Sequence, residues 1–222
     1  MDSMLFKGVM VRAILAGTKT QTRRLVKITH RTPGLAACLL PPVGHPRPKL
    51  AAELSPHRPG DLLWVREACR AEELPDGLDG VRYLADNGWR AIEDTKTAAE
   101  DWVKLNHYRG QIGANVPSIH MPQWASRISL RVKDVRVERL NDISETDALA
   151  EGITTLRTPE WDNLHFQAWR SKYAWAVANG LKPPIGPSPS TAYRALWEEI
   201  NGPGSWDLNP WVWVYEFKWV TP

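Results

Sequence analysis

The stretches of this chain that read as β-strands are unequally spaced, and no strand–helix–strand alternation links them. That spacing argues against a doubly wound parallel sheet, whose neighbouring strands need long, usually helical, crossovers. The strongest strand signals are "SLRVKDVRVERL" within 121–140 and "NPWVWVYEFKWV" over 209–220. In the first, a short helical turn leads into a long strand whose buried side is marked by Ile128, Leu130, Val132, Val135 and Val137. The change of parity between Val132 and Val135 predicts a bulge near Lys133 and Asp134. "GDLLWVREA" over 60–68 reads as a turn and a strand, with Leu62, Trp64 and Arg66 on one face and Leu63, Val65 and Glu67 on the other. Shorter strands are expected at 4–6, 19–26 and 81–85. The expectation is an α+β fold: a small mixed β-barrel with helices between strands and long proline-rich insertions.

Helical spacing marks 9–16, with Gly17 as its stop. In "ISETDALAEGI", Ser144 is the expected N-cap, Asp147 follows three residues on, and Gly152 ends the helix. Further helices are expected at 97–105, 159–179 and 191–200. Residues 31–60 hold seven prolines and read as a surface insertion, and "LKPPIGPSPS" over 181–190 reads as a loop. The 222 residues fit one domain spanning the whole chain, with insertions near 31–59, 70–118 and 155–190. Twelve tryptophans serve mainly as core in this reading.

Two cysteines, Cys38 and Cys69, make neither a CxxC pair nor a zinc cluster. The six histidines are scattered without ligand spacing, so neither a metal nor a cofactor is expected. No G-x-S-x-G elbow supports a serine hydrolase. No apolar run reaches membrane-spanning length and no signal-peptide h-region opens the chain, so the expected location is cytoplasmic, with no membrane partner. Net charge is +3, but residues 1–50 carry nine Lys and Arg against one acid, Asp2, a balance of +8. Such a segment fits a polyanionic partner, RNA or DNA, or a solvated basic loop.

The densest chemistry lies in "GTKTQTRR", residues 17–24. It is no phosphate loop: the glycine–lysine spacing differs from G-x-x-x-x-G-K-[ST], and the segment leaves a helix where a phosphate loop opens one. A threonine can act as a nucleophile beside a base, and a lysine can be that base when burial or neighbouring cations lower its pKa. Lys19 has Arg23 and Arg24 close by. Lys19 and Thr22 are three apart, so a regular strand sets them on opposite faces. They meet only if the backbone turns after Gly17. By spacing alone, a strand with exposed threonines fits better.

"VRAILAGTKTQTRR" closely resembles the opening motif of ASCH-domain proteins of the PUA-like superfamily, with an ILAG-x-KT-x-T-x-R core. "GDLLWVRE", "IHMPQWASRI", "ISETDALAEGI" and "NPWVWVYEF" resemble blocks of a phage and prophage group of these proteins, and they span most of the chain. The small bacterial members are amidohydrolases that remove acyl groups from the exocyclic amine of cytidine. The resemblance places their lysine on Lys19, their nucleophilic threonine on Thr22 and their glutamate on Glu151. It implies an acylated cytidine-like nucleoside or base as substrate, with Arg23, Arg24, Trp64, Arg66, Glu67, Trp124 and Arg127 as candidate binding residues. Because the superfamily also holds RNA-binding modules, the alternative is a non-catalytic RNA- or DNA-binding module of phage origin.

Overall fold

The computed structural model describes residues 2–40, 44–153, 174, 178–180 and 188–220. The expected aromatic helix over 159–179 and the loop over 181–190 lie, apart from a few positions, outside the described residues. Among the described residues the fold is α+β with two sheets. Hydrogen-bond ladders order five strands as β1 (Asp2–Leu5), β3 (Leu62–Arg66), β7 (Ser129–Arg139), β8 (Trp211–Val220) and β2 (Gln21–Leu25), and three more as β4 (Cys69–Glu73), β5 (Asp79–Tyr83) and β6 (Trp89–Ala91). The chain divides into two compact units, one of Met1–Gly17, Pro59–Lys133 and Phe217–Pro222, the other of Thr18–Arg58 and Asp134–Glu216.

In the first unit, β1 (Asp2–Leu5) runs parallel to β3 (Leu62–Arg66), with Met4 opposite Val65. β3 pairs antiparallel with β7 (Ser129–Arg139), with Leu63 opposite Leu130. Helix α1 (Gly8–Leu15) buries Met10, Val11 and Ile14 along one stripe. It stops where expected, because Gly17 takes φ +72° and donates its N–H to Ile14 O at 2.9 Å. A meander of β4 (Cys69–Glu73), β5 (Asp79–Tyr83) and β6 (Trp89–Ala91) occupies a region where the sequence marks a single strand. Helix α4 (Lys96–Asn106), capped by Thr95, anchors against it through Trp102, whose indole N–H donates to Gly80 O at 2.7 Å. Burial, with Glu67 nearby, raises the Cys69 thiol to about 12, which leaves it unreactive at neutral pH.

In the second unit, β2 (Gln21–Leu25) pairs antiparallel with β8 (Trp211–Val220), setting Gln21 opposite Glu216, Thr22 opposite Tyr215 and Arg23 opposite Val214. The stretch 31–60, expected to be irregular, forms two short helices, α2 (Pro33–Leu39) and α3 (Pro48–Ala52). Each opens on a proline, whose fixed φ and missing N–H suit a first helical position. They bury Leu35, Cys38, Leu39 and Ala51. Helix α5 (Glu145–Ala150) starts at Ser144, whose Oγ accepts the Asp147 N–H at 3.0 Å. Helix α6 (Pro189–Asn201) is tied to it by Ser190, which donates its Oγ–H to Glu145 Oε1 at 2.6 Å and its N–H to Oε2 at 3.1 Å. Among the described residues no helix is long and apolar enough to cross a membrane.

Candidate active site

The site lies in the second unit, where the end of α5 meets the chain entering β2. Gly152, at φ +90°, turns the backbone out of the helix. The Gly152 N–H donates to Leu149 O at 2.9 Å and the Ile153 N–H to Ala148 O at 3.3 Å, the double closure of a Schellman motif. That turn fixes Glu151 as the C-cap of the helix, where the dipole disfavours an anion. Lys19 supplies the compensation. Lys19 forms an antiparallel bridge with Glu151, and the Thr20 N–H donates to Ala150 O at 2.8 Å. The Lys19 ammonium donates to Glu151 Oε2 at 2.7 Å and to the Glu151 carbonyl at 2.9 Å. Both residues are buried, Lys19 at 3% exposure and Glu151 at 2%.

Arg23 takes the other oxygen of the same carboxylate, with Nη1 3.1 Å from Glu151 Oε1. Its Nη2 pairs with Glu138 and lies 3.1 Å from Asp147 Oδ2, and its guanidinium sits 5.8 Å from the centre of the Tyr193 ring of α6. Within β2, Gln21 and Arg23 share one face, while Thr22 and Arg24 share the other with Tyr215 across the ladder. Because Lys19 and Arg23 hold one carboxylate, Lys19 belongs to the Arg23 side. The structure thus brings Lys19 and Glu151 together. It places Thr22, buried at 5% exposure, beside them in sequence but with no hydrogen bond to Lys19 among the described residues. Thr20, between the bridge and the strand, belongs to neither.

Burial lowers the Lys19 pKa below its ordinary 10.5; Glu151 opposes this, and Arg24 and Arg23 add to it. Burial likewise lowers Arg24. Burial pushes Asp147 up, but Arg136 and Arg23 outweigh it and hold the carboxyl below its ordinary 3.8. A carboxyl depressed on folding stabilises fully above its ordinary value, and that stability is lost as pH falls through the folded value. Urea unfolding of the wild type and Asp147→Asn between about pH 2 and 7 is expected to show two things. The variant loses stability near neutrality, and its curve is flatter below about pH 4. Parallel curves would rule out this contribution.

The remaining binding candidates sit in the first unit and are largely committed to protein partners. Arg127 donates from Nε to Glu67 Oε1 at 2.8 Å and from Nη2 to Oε2 at 2.9 Å. Its Nη1 and Nη2 also reach both oxygens of Asp86 at 2.9 Å, and the guanidinium covers the Tyr83 ring at 3.9 Å. Glu67 is 1% exposed, and burial raises its pKa despite Arg127. Arg66 donates to the carbonyls of Ile119 and Met121 and covers Trp64, which is 9% exposed. Trp124 packs half-buried against the core around Cys69 and Tyr83.

Sequence reasoning missed Glu138, Asp147 and Arg136 as neighbours of the site. The one available signal was "VRVERL", which alternates charged and apolar residues on a strand whose charged face then needs partners. Of the nine cations in residues 1–50, Lys19 and Arg23 are buried, which removes these two from any polyanion-binding surface, and Arg24 is half-buried. Comparison with protein-family models, with curated proteins and with solved structures gave no match.

Proposed function

We propose that the protein is an amidohydrolase that removes acyl groups from the exocyclic amine of cytidine-like nucleosides or bases. The observation that carries this reading is the buried Lys19–Glu151 pair, 2.7 Å apart, with the lysine biased toward its neutral form. A buried lysine of lowered pKa beside an orienting carboxylate suits a general base. The resemblance of residues 11–24 to the ASCH motif supplies the substrate class, and with it the small mixed barrel proposed as the underlying architecture.

Thr22 Oγ attacks the acyl carbonyl carbon, and its proton passes to Lys19 Nζ. The C–N bond breaks as Lys19 returns that proton to the departing amine. Water then attacks the Thr22 ester and yields a proton to Lys19; as the ester C–O bond breaks, Lys19 returns that proton to Thr22 Oγ, which releases the carboxylic acid and restores both residues. Substrate-free geometry is often looser than that of the reacting complex. The reaction needs the Thr22 hydroxyl to come within reach of Lys19. Thr20 is the residue at which the backbone has to turn for that.

The test is release of cytidine from acylcytidine by the purified protein. Thr22→Ala is expected to abolish turnover and Thr22→Ser to retain part of it. Full turnover by Thr22→Ala would remove Thr22 as nucleophile, and a wild type inert toward every acylated nucleoside overturns the activity.

A further inference from the structure

A ladder of alternating charges leads outward from Lys19. Glu151 is shared between Lys19 and Arg23. Arg23 is shared in turn among Glu151, Glu138 and Asp147. Arg136 closes the next step, with Nη2 2.9 Å from Asp147 Oδ1 and Nε 3.2 Å from Glu138 Oε2. Its Nη1 lies 2.6 Å from Glu216 Oε1, and its Nη2 also donates to Gln21 Oε1 at 3.0 Å. Side-chain exposure climbs along this path from 1% at Lys19 and 0% at Arg23 to 30% at Arg136 and 43% at Glu216.

The reaction described above uses Lys19, Thr22 and Glu151 and leaves Arg23 without a part. Yet Arg23 occupies the only carboxylate oxygen that Lys19 leaves open. We propose that Arg23 is a positioning residue: it pins Glu151 as a fixed anion facing Lys19, and the Glu138–Asp147–Arg136 ladder sets how much of its charge reaches the site. This rests on the reading of Lys19 as the base. A guanidinium keeps its proton at all working pH values, and its hydrogen bond to a carboxylate is charge-assisted. In this reading Arg23 gives Glu151 an orienting part and leaves proton transfer to Lys19.

The signs follow from the charges around Lys19: Glu151 from the end of α5, Arg23 and Arg24 from β2, and, one step out, Glu138 and Arg136 from β7, Asp147 from α5, Glu216 from β8 and the Tyr193 ring from α6. Removing Arg23 takes away a cation and leaves Glu151 less neutralised. Both changes make Lys19 hold its proton more tightly. Removing the charge of Asp147 leaves Arg23 and Arg136 less neutralised, which makes Lys19 hold its proton less tightly. A ladder that only braces the fold predicts no such opposition.

The experiment is an NMR titration of ¹⁵N-lysine-labelled full-length protein, with the Lys19 Nζ signal identified by its loss in Lys19→Met. Arg23→Gln is expected to move the Lys19 midpoint up, Asp147→Asn to move it down, and Arg23→Lys to leave it near the wild-type value. Shifts in the same direction, or none, overturn the proposal. If Arg23→Gln does not fold, Asp147→Asn decides alone, and an unchanged or raised midpoint there overturns it. The readout involves no substrate, so its failure is distinct from a failure to hydrolyse acylcytidine.

Discussion

Glu151→Ala is expected to be among the most damaging single substitutions in the second unit. Glu151 neutralises Lys19 and part of Arg23, and both cations are almost fully enclosed. Taking the carboxylate away leaves a buried ammonium that has lost the anion 2.7 Å from it. Breaking a buried pair by removing one partner costs about 3–5 kcal/mol. A whole domain commonly has only about 5–15 kcal/mol of stability. For a chain of this size the loss corresponds to a fall in Tm of roughly 6–20 °C. Lys19→Met is expected to be milder, because Glu151 keeps Arg23 at 3.1 Å and the methionine fills the lysine's apolar stem volume. Thermal and urea unfolding of the two variants decide the matter. If Lys19→Met costs as much as Glu151→Ala, Glu151 is not the hub described here.

The second large effect is on catalysis. Lys19→Arg retains a cation for Glu151 and for the end of α5, so it keeps most of the structural role. An arginine does not give up its proton to become a base. General-base catalysis contributes on the order of 10²–10⁴ in rate, or about 3–5 kcal/mol of barrier. Lys19→Arg is expected to lose that factor in acylcytidine hydrolysis while unfolding close to the wild type. On the proposed mechanism the wild-type rate is expected to rise with pH through a value below 10.5, because that mechanism needs the neutral amine and the folded pKa is lowered. Lys19→Arg is expected to show no such rise. A variant that is stable and fully active would return Lys19 to a purely structural role.

Much of this arrangement was legible in the sequence because it is local. Gly17, Ser144 and Gly152 end or cap helices through bonds to residues three positions away, and each does so where the pattern placed it. The strands at 62–66, 129–139 and 211–220 announce themselves through alternation. Val132 and Val137 are buried on opposite parities, as the predicted register change requires, at the point where β7 passes from one unit to the other. Helices α2 and α3 escaped notice because seven and five residues are too few to show a period, and their prolines read as breakers. The strand expected from 19 begins only at Gln21, because Lys19 takes its bridge partner from the end of α5. The partners of Arg23 lie 115, 124 and 128 residues away, and no local rule reaches that far. Lys19 and Glu151 could be named as a pair through the ASCH resemblance alone.

The bridge between residues 19 and 151 also orders events during synthesis. Lys19 and Glu151 are 132 positions apart, and chain closure over such a span comes late and slowly. Until Glu138, Asp147 and Glu151 have all left the ribosome, Lys19, Arg23 and Arg24 belong to a segment whose first fifty residues hold one acid. Lys19 and Arg23 find their buried anionic partner only once the fifth helix has been made.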